Sequence, residues 1–428
     1  MTTLNKVCEA IVDCEHKTAP KSEAGFPSIR TTDIKNGRID FANANRVSQK
    51  TYDYWTKRRV PKAGDLILAR EAPVGEVGYI PEGETPVLGQ RTVLISPDRN
   101  RIFPRYLHYL LLSPSIQHEF EVRSSGSTVH HLNMKDIRAL EIPLLPSLTE
   151  QREIAAILGA LDDKIELNRK TSATLEEMAR ALYRSWFVDF DPVNAKREGR
   201  APAHMDAQTA ALFPSGFGED GLPVGWSEEP IIDQSDWVNG TAYKNMHFSN
   251  NLEALPVVKI AELKAGITGN TKFTATDLGA KYRIGRGDIL FSWSGNPDTS
   301  IDAFVWALGD AWLNQHIFAM RPNGKMSKAM LFTMLKFYMS EFAEIARNKQ
   351  TTGLGHITKK DLAAFPVRIA SPGVMSAFGK AISPLFEKYC WTLYENQTLA
   401  TMRDTLLPRL MSGELRVGEA QEQVEEVA

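Results

Sequence analysis

The chain of 428 residues carries 50 Lys and Arg against 52 Asp and Glu, a formal charge of −2, and 43% hydrophobic residues. This balance excludes a coat protein that binds nucleic acid through overall positive potential, and the apolar share is enough for two or three globular domains with their own cores. No run approaches the roughly 18 apolar residues of a membrane span, residues 1–17 are too polar for a signal peptide, and Cys8, Cys14 and Cys390 offer neither a CxxC pair nor an even disulfide set, so a soluble cytoplasmic protein with reduced thiols is expected.

Residues 1–146 read as short strands, such as Asp65 to Ala69 and Thr92 to Ile95, with turn signals at Pro61, Gly64, Pro73 and Gly75 and a helix near Pro104 to Glu121. This is an α+β globule. At Pro146 the pattern changes, and Ser147 with Glu150 has the spacing of a helix-capping box. Ile154, Leu158, Leu161, Ile165, Asn168, Ser172, Leu175, Ala179 and Leu182 then recur in alternating steps of four and three, a heptad seam on a helix over 147–188. At about 1.5 Å per residue such a helix is roughly 60 Å long, which suits a rod. Asp191-Pro192 ends it, and the prolines and glycines from Pro202 to Gly225 mark a linker over 189–228.

A second globule is expected over 229–371 and a second helix over 372–412, where Phe378, Ile382, Leu385, Tyr389, Thr392, Asn396, Leu399 and Leu406 keep the heptad spacing. Ser383 and Pro384 predict a restart inside that helix. Two matching seams point to an intramolecular coiled coil, with Asn168 and Asn396 as register-fixing amides. The acidic tail over 413–428 holds too few apolar residues to pack and is expected to be disordered.

The second half repeats the first at an offset of about 225 residues. Gly64-Asp65-Leu66-Ile67-Leu68 returns as Gly287-Asp288-Ile289-Leu290-Phe291, and Gly89-Gln90-Arg91-Thr92-Val93-Leu94 as Leu313-Asn314-Gln315-His316-Ile317-Phe318. Gly126-Ser127-Thr128, His131 and Met134-Lys135-Asp136-Ile137 align with Gly353-Leu354-Gly355, Ile357 and Lys359-Lys360-Asp361-Leu362. A period this long is a domain duplication. Motifs for chemistry are missing: there is no phosphate loop, no dinucleotide fingerprint, no methyltransferase tetrapeptide and no zinc spacing. Pro97-Asp98 and Pro297-Asp298 match a nuclease motif only as turn residues do.

The run from Leu175 to Val193, containing Met178, Arg180, Tyr183, Trp186, Phe187 and Asp191-Pro192, resembles the central conserved region of the specificity subunit of type I restriction-modification systems. Phe213-Pro214 through Gly225-Trp226 resembles the linker of that family, and Arg403-Asp404-Thr405-Leu406-Leu407-Pro408-Arg409-Leu410-Met411-Ser412-Gly413-Glu414-Leu415 its distal region. The resemblance implies two target recognition domains in a pseudo-twofold repeat, separated by two long antiparallel coiled-coil helices. It also implies no catalytic residues, metal or cofactor in this chain. Two modification subunits would dock to form an S-adenosylmethionine-dependent adenine methyltransferase, and two restriction subunits would add the ATP- and Mg-dependent nuclease. One departure is that Ala370 to Gly379 lacks the entry seen at Thr149-Glu150-Gln151-Arg152.

Each recognition domain is then expected to lay a polar loop in the major groove of double-stranded DNA, so that the halves read different sequences of an asymmetric target. The candidate contacts are Gln90, Arg91, Ser127, Thr128, His130, His131 and Lys135 in the first half, and Gln315, His316, Thr352, His356, Lys359 and Lys360 in the second. Gln and Arg suit A and G, and Lys and Thr suit phosphates. Arg180, Arg184, Trp186 and Phe187 are the expected docking surface for the modification subunits. The rival readings are a coiled-coil assembly scaffold without DNA specificity and a DNA-acting enzyme with an unrecognised site.

Overall fold

The computed structural model describes residues 2–124, 130–249, 251, 253–350 and 353–426. It divides into two compact units, the first made of residues 1–164 and 399–428, the second of 165–398. In the first, Cys8–Asp13 (β1), Leu66–Arg70 (β2), Val74–Tyr79 (β3) and Thr92–Pro97 (β4) form an antiparallel sheet in the order β1-β4-β2-β3. Every residue of β4 is buried, as expected of a central strand covered on both faces. Pro104–Leu112 and Pro114–Arg123 form two helices on this sheet, each with a proline at its first position, where its missing N–H costs nothing. In the second unit Asp236–Asn239 (β5), Ile289–Ser292 (β6), Asp302–Val305 (β7) and Ile317–Arg321 (β8) form an antiparallel sheet in the order β5-β8-β6-β7. The order is that of the first unit strand for strand. Two helices, Lys328–Phe337 and Met339–Arg347, again follow the last strand. A smaller sheet recurs too, with Phe26–Ile29 parallel to Val87–Leu88 and Leu255–Val258 parallel to Ala311–Leu313. The fold is α+β and duplicated.

The two long helices span Leu148–Phe187 and Pro372–Ser412. Ser147 accepts the Glu150 amide at 3.2 Å, which starts the first of them. Of its seam, Ile154, Leu158, Leu161, Ile165, Asn168, Ser172 and Ala179 are buried. In the second unit Asn168 meets Asn396 at 3.1 Å and Ser172 meets Thr392 at 2.6 Å, so the two helices run antiparallel there. In the first unit the Asp162 carboxylate accepts from Arg403 at 2.8 Å and from the Tyr109 hydroxyl at 2.7 Å.

Three expectations are corrected. The second helix does not restart at Pro384 but continues through it. Phe378, Ile382 and Cys390 are anchored in the core on either side, and Ser383 donates back to the Gly379 carbonyl at 2.8 Å, so burial outweighs the missing amide. The acidic tail is not disordered: Val417–Glu425 is a helix capped by Glu419, with Leu415 and Ala420 buried in the first unit's core. Its few apolar residues fall on one side, a pattern that mean composition hides. The segment over 189–228 is not a loose linker either. It contains the helix Asp191–Arg197 and packs Val193, Phe213 and Trp226 into the second unit's core.

Candidate nucleic-acid interface

At one corner of the first unit's sheet, β1 ends at Asp13, β2 ends at Arg70 and β4 is entered through the turn Gln90-Arg91. Arg91 holds a left-handed backbone with φ of 66° and its carbonyl accepts from the Arg70 amide at 3.0 Å. Asp13 pairs with Arg70 at 2.7 Å and with His16 at 3.0 Å. The Gln90 amide is oriented by two neighbours, donating to the His16 carbonyl at 3.2 Å and accepting from the Thr18 hydroxyl at 3.1 Å. Arg91 lies 3.4 Å from Glu71, with its side chain 53% exposed. The backbone of Glu71 forms an isolated antiparallel β-bridge with that of His131, the Leu132 amide donates to the Arg70 carbonyl at 2.9 Å, and His130 meets Ser124 at 3.2 Å. One strip of surface thus carries His16, Gln90, Arg91, Glu71, His131 and His130.

The second unit builds the same corner from other residues. Strand register makes Asn239 the counterpart of Asp13, because Asn239 pairs with Phe318 as Asp13 pairs with Val93. Trp293 replaces Arg70: its amide faces the His316 carbonyl at 3.3 Å, and its indole N–H donates to Asn239 at 3.0 Å. His316 takes the place of Arg91, lying 5.5 Å from the Trp293 ring, and Gln315 that of Gln90, its amide nitrogen 3.1 Å from His316, so the sequence alignment that set Gln315 against Arg91 and Asn314 against Gln90 is corrected by one residue. Ser294 pairs with His356 as Glu71 does with His131, and the Ile357 amide donates to the Trp293 carbonyl at 2.8 Å. His131 therefore corresponds to His356, and the sequence alignment of His131 with Ile357 is corrected by one residue.

The predicted contacts fare differently. Gln90, Arg91 and His130 are exposed beside half-buried His131, and Gln315, His316 and half-buried His356 gather likewise. Lys135 is exposed on the short helix Met134–Arg138, and Lys360 on Lys359–Ala364. Lys359 is exposed too, but its ammonium donates to the Trp237 carbonyl at 3.2 Å. Ser127, Thr128 and Thr352 lie outside the described residues. Arg180 is half-buried and paired with Glu177 at 2.7 Å, and Arg184 is exposed with its guanidinium 5.7 Å from the Phe337 ring. Trp186 and Phe187 are corrected: at 6% and 1% exposure they belong to the second unit's core, packed edge-on or tilted against Phe213, Trp226 and Phe378, and cannot present a docking surface.

Sequence reasoning missed Asp13, His16, Thr18, Arg70 and Glu71, and Asn239, Trp293 and Ser294 in the second unit. Composition between strands held one further signal. Residues 15–62 carry eleven Lys and Arg against five Asp and Glu, and 240–288 seven against four, so a near-neutral chain keeps positive charge in the segments beside each corner. Lys57 and Arg58 join the first strip through Glu15, at 3.7 and 3.1 Å. Among the described residues Asp13, Cys14 and His16 bring three possible metal-ligand atoms within 4.8 Å of one another. The carboxylate there is already neutralised by Arg70, so the group reads as a support for the Gln90 turn.

The family model for the type I restriction modification DNA specificity domain matches residues 3–177 and 223–372. The chain belongs to that family. It is similar to the HindI specificity subunit of Haemophilus influenzae, with 25% identity over 90% of this chain and 94% of that protein. The MjaIX specificity subunit of Methanocaldococcus jannaschii is 25% identical over 92% of this chain and 88% of that one. A crystal structure of the type I S subunit from M. genitalium has the same fold, with a TM-score of 0.55 at 16% identity over 96% of this chain and 95% of that one. The chain is thus a specificity subunit, a non-catalytic member of its system. No helix among the described residues is long and apolar enough to cross a membrane.

Proposed function

We propose that this specificity subunit reads an asymmetric, bipartite DNA target, one half with each unit's corner. The observation that carries this is the pair of equivalent corners, Gln90-Arg91 and Gln315-His316, built on one strand order but lined by different side chains. A major groove offers each base pair a distinct donor and acceptor pattern, so different linings select different bases. The basic segments over 15–62 and 240–288 supply phosphate contacts, and binding falls steeply with salt. The long helices set the spacing of the two half-sites.

In this reading two modification subunits dock on the helices and bring S-adenosylmethionine chemistry, and two restriction subunits bring ATP and Mg, all acting on DNA in the cytoplasm. Arg180 and Arg184 remain part of the docking face. Leu167, Met178 and Trp391, exposed at 58%, 49% and 48% on the second unit's helix pair, replace Trp186 and Phe187 in it. The experiment is methylation-site sequencing of the chain co-expressed with its modification subunit, beside a hybrid carrying a foreign domain in place of residues 229–371. One half of the target is expected to change while the other persists. Loss of both halves, or no sequence preference in either protein, would favour an assembly scaffold.

A further inference from the structure

The two corners share Gln90 with Gln315 and His131 with His356, and differ at four equivalent positions: Asp13 against Asn239, Arg70 against Trp293, Glu71 against Ser294, and Arg91 against His316. The differences are coupled. Where the first unit joins Asp13 to Arg70 by an ion pair of 2.7 Å, the second joins Asn239 to Trp293 by a neutral hydrogen bond of 3.0 Å. Where the first sets a guanidinium beside a carboxylate, the second sets an imidazole beside an indole ring.

We infer that Arg91 specifies a guanine in the half-site read by the first unit, and that the second unit has no guanine requirement at the equivalent base pair because His316 stands there. This rests on the bipartite reading above. Three features of the corner single out Arg91 from its neighbours. Arg70 is only 16% exposed in its side chain and is pinned by Asp13, so it supports the turn. Arg91 stands at the turn tip, half exposed, and the ion pair it makes among the described residues, to Glu71 at 3.4 Å, is long enough to yield to a better acceptor pair. A guanidinium fork matches the O6 and N7 acceptors of guanine in a bidentate way that an imidazole cannot reproduce. Gln90 beside it is already oriented by Thr18 and His16, and among the described residues each of its amide atoms keeps one bonding position for the adjacent base pair.

The test uses the complex of this chain with its modification subunit, selecting bound sites from a randomised DNA library, with the first unit's half-site identified by the 229–371 hybrid. The variant is Arg91→Asn, since asparagine tolerates the left-handed backbone found there. One G·C pair in the first half-site is expected to become degenerate, with affinity for the original site about 10- to 100-fold weaker and the other half-site unchanged. His316→Asn is expected to relax only the other half-site, and Glu71→Gln to tighten binding without altering the bases chosen. The inference is overturned if the wild-type half-site contains no required G·C pair, if Arg91→Asn leaves the selected sequence as it was, or if it weakens all sequences equally as a phosphate contact would. A wild-type complex without any sequence preference would instead refute the bipartite reading itself.

Discussion

In the first unit a half-buried carboxylate, beside aliphatic packing, ties the helices to the globule; in the second a knot of aromatic rings does so. Burial alone would raise the Asp162 pKa, but the Arg403 guanidinium and the Tyr109 hydroxyl outweigh it and hold the group lowered, while the backbone carbonyl of Asp162 accepts from Arg38 at 2.6 Å. In the second unit Phe378 packs within 4.8 Å of Phe187, 5.4 Å of Trp186 and 6.0 Å of Tyr183, between ring centroids. Ions play a smaller part there, with Lys336 bridging Glu176 at 3.3 Å and Asp302 at 2.9 Å. What the duplicated halves keep is the hydrogen-bond register of the strands. The chemistry that fastens one layer to the next has been free to diverge, as the corner residues have.

The contrast can be broken from either side. Phe378→Ala should cost about 3–5 kcal/mol, the range for deleting a buried aromatic, and should be read by denaturant unfolding of the full chain as a selective loss of the second unit. Asp162→Ala should cost about 3 kcal/mol in the first unit, since it removes the charged hydrogen bonds from Arg403, left with Asp404 alone among the described residues, and from the Tyr109 hydroxyl. Hydrogen exchange that showed both variants loosening the same unit would refute the division of labour.

Acid should separate the units further. His108 is buried in the first unit, its Nε2 facing the Gly37 carbonyl at 2.8 Å, and burial pushes its pKa down to about 4. The unfolded chain binds that proton near pH 6.5 and the folded one near 4, so stability is lost as pH falls through this window, by up to roughly 3 kcal/mol. Unfolding midpoints measured from pH 7 to pH 4 should fall for the wild type and flatten in His108→Gln. The smallest effect sits in the helix pair. Thr392→Val alone should cost about 1 kcal/mol by orphaning the Ser172 hydroxyl, and adding Ser172→Ala should recover most of it, a non-additivity visible in a double-mutant cycle.

Much of the frame was legible because it rests on periodic burial. Ile154, Leu158, Leu161 and Ile165 declare their helix by spacing, and Leu66 to Leu68 and Ile289 to Phe291 declare their strands by a run of apolar residues. The fastening residues were not, because nothing local announces a partner 57 positions away, as Arg70 is from Asp13, or 74 away, as Gln90 is from the His16 carbonyl. Trp186 and Phe187 misled for a related reason. A heptad count treats a helix as having one buried side, whereas their stretch is also covered by Phe213 and Trp226 from the segment that follows. Pro384 and the tail helix show tertiary burial overriding local propensity and composition.

The first unit's core includes Leu406, Leu410, Met411, Leu415 and Ala420 packed with Leu158 and Leu161, so the unit that is begun before the other is completed after it. At the ribosome about 250 residues separate these partners, a delay on the order of 10–50 s at usual synthesis rates. The whole second unit is made within that interval. Until the distal helix arrives, the nascent first globule keeps an apolar face uncovered, which makes it a natural client for chaperones.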